Sequence, residues 1–201
     1  MAWRLIFALA IINNWLIYKV NIVSAFTQRP IKNNLYIFQP EGDIDSKSKD
    51  SIYKLNKALY GLKQSARIWI DTLKEVLIYE LKFKSLLSEN TIFYNKELNI
   101  IICLYVDDLA IIGPNKETIT SFIKTLKGYF DLKDLGLIKD YLGVEIDYNP
   151  KDRSIKLYQT KYINKILKLF NIEDSNPCYT SIDDKIKLEP NKLKANIEEI
   201  K

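Results

Sequence analysis

The apolar positions along this chain change period several times, and each change marks an element. Residues 3–17 carry apolar side chains at helical spacing, and Ile17–Ile22 then alternates as a strand. An irregular stretch follows around Gln28-Arg29-Pro30, and Leu35–Phe38 reads as a strand. The polar run Glu41–Ser51 predicts an exposed loop, with a short strand at Ile52–Leu55 after it. From Ser65 to about Leu81 the apolar side chains Trp69, Leu73, Val76, Leu77 and Leu81 form a helical stripe. Thr91–Tyr94 and Asn99–Val106 predict a hairpin across Asn95-Lys96-Glu97. Asn115 is placed to cap a helix whose apolar face is Ile119, Phe122, Ile123, Leu126 and Phe130. A second hairpin joins Val144, Ile146 and Tyr148 to Ile155 and Leu157 through Asn149-Pro150-Lys151-Asp152. Tyr162, Ile163, Ile166, Leu167 and Phe170 mark a last helix. After Asn176-Pro177 the chain turns polar, and 181–201 reads as a tail or linker. Helices interleaved with hairpins predict an α+β fold with an antiparallel sheet.

One segment breaks the pattern. Asp107-Asp108 sits between two apolar runs, Ile100-Ile101-Ile102-Cys103-Leu104 before it and Leu109-Ala110-Ile111-Ile112-Gly113 after it. A two-residue hairpin loop favours Asn-Gly or Asp-Gly, because both positions need positive φ. Asp-Asp is a poor turn choice, and adjacent like charges repel. A cation between them removes the repulsion, which makes the pair a candidate metal site; the plainer alternative is an exposed acidic turn.

Composition narrows the chemistry. With 201 residues, 47% of them apolar and 12% aromatic, the chain can bury a core in one domain, or one domain with a small appendage, and disorder is excluded as its overall state. The net charge of +5 is mild for a nucleic-acid binder. Its distribution says more: no acidic residue precedes Glu41, whereas Arg4, Lys19, Arg29 and Lys32 are basic. The abundance of Lys, Asn, Ile and Tyr matches AT-rich coding, which accounts for part of this charge. Cys103 and Cys178 form no disulfide scaffold, so a reducing, intracellular setting is expected and secretion is not. There is no His, which excludes His-ligated zinc, Ser-His-Asp hydrolysis and imidazole acid–base chemistry. A metal here must be held by oxygen, favouring Mg2+ or Mn2+. The apolar start, Leu5–Ile12, is short and interrupted by Asn13-Asn14, so it reads as a packed helix rather than a signal or membrane segment.

Two further segments make the Asp pair specific. Residues 57–69, Lys-Ala-Leu-Tyr-Gly-Leu-Lys-Gln-Ser-Ala-Arg-Ile-Trp, closely resemble a signature of reverse transcriptases of copia-type retrotransposons. Residues 130–136, Phe-Asp-Leu-Lys-Asp-Leu-Gly, with Tyr141-Leu142-Gly143-Val144-Glu145-Ile146 after them, resemble the segment downstream in the same family. Together with Tyr105-Val106-Asp107-Asp108, these three segments stand in the family's order and spacing, from about residue 4 to about residue 180.

The resemblance implies a polymerase palm-type antiparallel sheet with packed helices: partial fingers over 1–18, palm over about 19–130, and palm end with the start of a thumb over 131–180. It implies an RNA-directed DNA polymerase within a retrotransposon polyprotein, adding deoxynucleotides to a primer 3′-hydroxyl by two-metal phosphoryl transfer. The implied partners are an RNA or DNA template with primer, deoxynucleoside triphosphates and other parts of the polyprotein, in the cytoplasm within an element particle or in the nucleus. Asp107 and Asp108 match the adjacent pair, with Asp107 the direct ligand, and the backbone carbonyl of Ile22 a further metal contact. Ala25 matches the residue whose N–H meets the triphosphate, and Phe26 the aromatic that excludes a ribose 2′-hydroxyl; an ordinary core Phe is the alternative. Gly61 matches a close approach to the nucleotide. Lys63, Gln64 and Arg67 match template or nucleotide contacts, with a solvated helix face as the alternative. Leu142 and Gly143 match a strand that supports the primer end. Trp69 reads as core.

The chain departs from the family at one position that matters. The motif Asp-Val-Lys-x-Ala-Phe appears here as Asn21-Ile22-Val23-Ser24-Ala25-Phe26, so Asn21 stands where a catalytic Asp is expected. One of three negative charges is lost and metal binding weakens, so activity is expected to be impaired. Ala66, where the family has Pro, is a smaller departure. The early fingers strands and a complete thumb are expected to be absent from this chain. A non-catalytic nucleic-acid-binding relic and a decayed transposon fragment are the competing readings.

Overall fold

Seven residues, Leu16–Ile22, organise the molecule as its second-last sheet position. This strand, β1, follows helix α1 (Ala2–Ile12) and lies in a six-stranded antiparallel sheet of order β4-β5-β6-β7-β1-β8. The others are β4 (Lys84–Ser85), β5 (Ile92–Asn95), β6 (Ile100–Tyr105), β7 (Asp108–Gly113) and β8 (Leu132–Leu137). The computed structural model describes residues 2–28, 30–31, 34–42, 44, 48 and 51–176. The tail expected over 181–201, the boundary at Pro177 and Cys178 lie outside them. Two smaller sheets complete the strands of the described residues: a pair, β2 (Tyr36–Phe38) with β3 (Ile52–Lys54), and a three-stranded group, β9 (Asp140–Tyr141), β10 (Val144–Asn149) and β11 (Ser154–Tyr158). The fold is α+β, as the pattern predicts.

Period-two alternation sends the strand side chains to opposite faces. One face carries Tyr18, Val20 and Ile22 of β1, Ile100, Ile102 and Leu104 of β6, and Leu109 and Ile111 of β7. Against it pack α2 (Ser65–Glu75), through Trp69 and Leu73, and α3 (Lys116–Lys127), through Ile119, Phe122, Ile123 and Leu126. The other face carries Ile17, Cys103, Ala110 and Ile112, covered by Ile6, Phe7 and Ala10 of α1 and by Ile138, Tyr141 and Ile146.

Three expectations need correction. The helix predicted over 3–17 ends at Ile12, because Asn14 adopts φ +57°. Trp15 N–H donates to Ala10 O and Asn14 N–H to Ile11 O, the bond pair of a Schellman stop, and this releases Leu16 to start the strand. The helix predicted from 65 to 81 is α-helical only to Glu75. Val76–Glu80 widens into a π turn, closed where Leu81 N–H donates to Val76 O. The third concerns β8, a strand the periodicity does not predict. It is largely exposed and joins β1 through backbone bonds with a register shift between Tyr18 and Val20, so its side chains need not alternate.

Local chemistry elsewhere matches the expectation. Asn115 Oδ1 accepts from Thr118 N–H at 2.9 Å, capping α3. Asn149 Oδ1 accepts from Lys151 N–H and Asp152 N–H in the β10–β11 turn. The chain divides into a unit over 1–160 and a second over 161–201. Helix α4 (Thr160–Leu169), all of it but its first residue in the second unit, aligns Tyr162, Ile163, Ile166 and Leu167 and stops before Asn171, φ +54°.

Candidate active site

The expected Asp-Asp turn is displaced by one residue. Tyr105 pairs with Asp108, so the two-residue loop is Val106-Asp107, and Asp108 is the first residue of β7. Val106 holds φ +53°, a costly conformation for a β-branched side chain. Neighbours hold the turn. The buried Trp69 indole donates from Nε1 to Val106 O at 2.7 Å, and Ile22 N–H donates to Asp107 O at 2.8 Å. Trp69 is itself wedged edge-on against Phe130, ring centroids 5.2 Å apart. Helix α2 and strand β1 thus clamp one turn from two sides.

Register brings the expected third position to the same place. Asn21 pairs with Asp108 across β1 and β7, and Asn21 Nδ2 donates to Asp108 Oδ1 at 3.3 Å. Two residues back on the same strand face, Lys19 reaches the same carboxylate: Nζ is 3.6 Å from Asp108 Oδ1 and 2.5 Å from Asp140 Oδ1. The Lys19 side chain is only 12% exposed, rare for a lysine without an anionic partner. Lys19, Asn21, Asp108 and Asp140 form one polar strip at the end of an otherwise apolar sheet face.

Beyond β1 the chain turns through Ala25–Gln28, a 3-10 turn that buries Ala25 and Phe26. Phe26 packs on Tyr60, with ring centroids 4.4 Å apart. The Tyr60 hydroxyl is held above its ordinary range by burial and then by the Asp107 charge, which ties this aromatic pair electrostatically to the Asp turn. Gly61 follows at φ +96°, exposed, with open space where a Cβ would stand. Its glycine is therefore required by backbone conformation; no neighbour among the described residues crowds it. Gln28 locks the turn to β8: Nε2 donates to Asp131 O at 2.9 Å, and Asp131 N–H donates back to Oε1.

The remaining expected residues lie on and before α2 and in the β9–β10 turn. Lys63 is exposed before α2 and Gln64 occupies the N-cap without a side-chain cap bond. Arg67, 87% exposed, sits 3.8 Å from Asp71 in a solvated pair. Leu142 (φ +52°) and Gly143 (φ +76°) form the turn between β9 and β10. Leu142 shares a cavity of about 290 Å³ with Trp3, Cys103, Tyr105 and Tyr141, and the Tyr141 hydroxyl donates to Cys103 O at 3.0 Å. Lys19, Asp140 and Tyr60 are the site residues that motif reading missed. For Lys19 the signal was present: it lies two residues before Asn21 on a strand, hence on the same face.

The donor set does not fit the two-metal centre that the resemblance implies. The amide turns its NH2 toward Asp108 where an anionic oxygen is needed, and an ammonium already stands beside the same carboxylate. Among the described residues, no three of His, Cys, Asp and Glu gather as a group able to hold a metal ion. No helix among them is long and apolar enough to cross a membrane.

Comparison with known proteins identifies the family. The profile of the family described as reverse transcriptase (RNA-dependent DNA polymerase) matches residues 2–184. The chain is 32% identical over 199 residues, 98% of its length, to the retrovirus-related Pol polyprotein from transposon TNT 1-94 of Nicotiana tabacum, covering 15% of that protein. It is 29% identical over 187 residues to the Pol polyprotein from transposon RE1 of Arabidopsis thaliana, covering 92% of this chain and 13% of that one. Against the transposon Ty1-NL2 Gag-Pol polyprotein of Saccharomyces cerevisiae, identity is 32% over 172 residues, 82% of this chain and 10% of the relative. The chain thus spans 15% or less of the length of these relatives. A palm-like sheet, an Asp pair on its central hairpin and a match over nearly the whole length make one conclusion plain: this chain belongs to the reverse transcriptase family of copia-type retrotransposon Pol polyproteins.

Proposed function

We propose that this chain is a reverse transcriptase palm that engages a primer–template and a deoxynucleoside triphosphate but does not carry out nucleotidyl transfer as it stands. Reverse transcriptases use a divalent metal to stabilise the attacking and leaving oxygens. The observation that carries the reading is the Asn21 amide donating to Asp108 across the β1–β7 register. A phosphate-bearing substrate brought to Asp107 and Asp108 meets two carboxylates and, at the family's third position, the Asn21 amide, which brings no charge to gather cations, so charge repulsion opposes the chemistry.

Binding rests on other residues. Lys63 and Arg67, exposed on and before α2, suit contact with a nucleic-acid backbone, and Gln64 a polar contact beside them. The Phe26–Tyr60 pair offers an aromatic wall beside the Asp turn for a sugar, with the Ala25 backbone N–H and the unencumbered Gly61 near it. Leu142 and Gly143 suit support of the primer end.

The test joins binding to extension. A fluorescein-labelled RNA template with a DNA primer, titrated with the native chain, should bind with an affinity that falls steeply between about 50 and 200 mM salt. The same mixture with Mg2+ or Mn2+ and deoxynucleotides should yield no extended primer. Absent or salt-insensitive binding would remove the interaction half of the proposal. Extension that disappears in Asp107→Ala would remove the other half.

A further inference from the structure

Lys19 has no place in the residues a metal-dependent polymerase needs, yet it is the most deeply set charge in the strip. Its side chain is 12% exposed, and its ammonium lies 2.5 Å from Asp140 and 3.6 Å from Asp108. A lysine this deep is retained only where anions hold it. We infer that Lys19 is a resident counter-ion that occupies Asp108 in place of a divalent cation, so that losing metal affinity is a property of two residues, Lys19 and Asn21, on one strand face. The inference deepens the reading of Asn21 and rests on it.

Geometry supports the substitution of roles. Lys19 and Asn21 are two apart on β1: Asn21 Nδ2 donates to Asp108 Oδ1, and the Lys19 ammonium, which donates to Asp140, stands 3.6 Å from the same oxygen. That oxygen is met by an ammonium and an amide NH2. Asp140, brought in from β9, anchors the ammonium from the other side. No buried side-chain nitrogen or oxygen among the described residues lacks a hydrogen-bond partner. A divalent cation on Asp108 would stand within a few ångströms of Nζ. Coulomb repulsion at that separation, even at the dielectric of water, costs roughly a tenfold loss of affinity.

The experiment measures Mn2+ binding by electron paramagnetic resonance on the full chain, with Lys19→Met made in the native and Asn21→Asp backgrounds. Removing the ammonium should tighten Mn2+ binding roughly tenfold in both. Lys19→Gln, neutral but able to hydrogen-bond Asp140, should act alike and guards against a methionine variant that fails to fold. Unchanged affinity in folded neutral variants overturns the inference. So does saturable micromolar Mn2+ binding by the native chain that is lost in Asp108→Asn, a result that requires no change at Lys19. Primer extension restored by Asn21→Asp alone also overturns it, while leaving the role of Asn21 standing. Tightened Mn2+ binding without extension in the Lys19→Met, Asn21→Asp double variant upholds the counter-ion and overturns the reading of Asn21 as the cause of lost chemistry.

Discussion

The two faces of the six-stranded sheet are made from the same strands, yet they are built to different standards. Toward α2 and α3, β1, β6 and β7 present Val20, Ile22, Ile102, Leu104, Leu109 and Ile111, apolar from end to end. Toward α1 and β9–β11 the same strands begin apolar, with Ile17, Cys103, Ala110 and Ile112, then finish in Lys19, Asn21 and Asp108. The first face is held by many interchangeable contacts, so its stability is spread over area. The second ends in a few charge-bearing atoms whose distances decide what the site can do. A substitution such as Asp to Asn therefore leaves the fold intact and changes the chemistry.

The largest effect should come from the junction between the faces. Trp69→Ala deletes a buried indole, its bond to Val106 O and its contact with Phe130, and should cost about 3–5 kcal/mol in urea unfolding. A loss below about 1 kcal/mol would mean that the apolar face does not carry the stability assigned to it.

Next comes alkaline pH, which probes the apolar part of the site face. Burial, then the Glu89 charge, pushes the Cys103 thiol up to about 12, and burial also raises the Tyr141 hydroxyl. The folded state keeps protons that the unfolded chain releases. Stability is therefore full below the ordinary thiol range and falls as pH climbs from about 9 toward 12. Thermal melts across that range should show a falling midpoint, and Cys103→Ala should flatten the early part of the decline. A flat profile in the native chain would contradict the burial of these groups.

Smaller effects sharpen the contrast. Asn115→Ala removes the cap of α3, on the apolar face, and should cost about 1 kcal/mol. Asn21→Ala, at the centre of the polar strip, should cost about 1 kcal/mol or less, since its one side-chain bond is long, 3.3 Å, to a part-buried carboxylate. A loss for Asn21→Ala as large as that for Trp69→Ala would erase the distinction between the faces.

What was legible in the sequence follows the same division. The Ile119–Leu126 stripe and the Asn115 cap are local signals, and both stand in the structure as the pattern implies. The pattern predicts a helix to residue 17 because apolar residues resume after Asn13-Asn14, whereas the left-handed Asn14 stops it at Ile12. The turn at Asp107-Asp108 was misplaced by one residue because a Val at φ +53° is not a local preference; Trp69 and Ile22 hold it there from elsewhere in the chain. Asn21 was visible through motif register. For Lys19 the sequence shows the shared strand face with Asn21 but not the partner that explains it, Asp140, 121 residues away.

Primer extension on an RNA template, measured in a single turnover with Mn2+, tests the central claim most directly. The native chain should add no nucleotide, and the Lys19→Met, Asn21→Asp double variant, with its carboxylate restored and its counter-ion removed, should extend the primer. Extension by the native chain that vanishes in Asp107→Ala would contradict the account, because it would mean that Asn21 and Lys19 leave a working centre on this sheet.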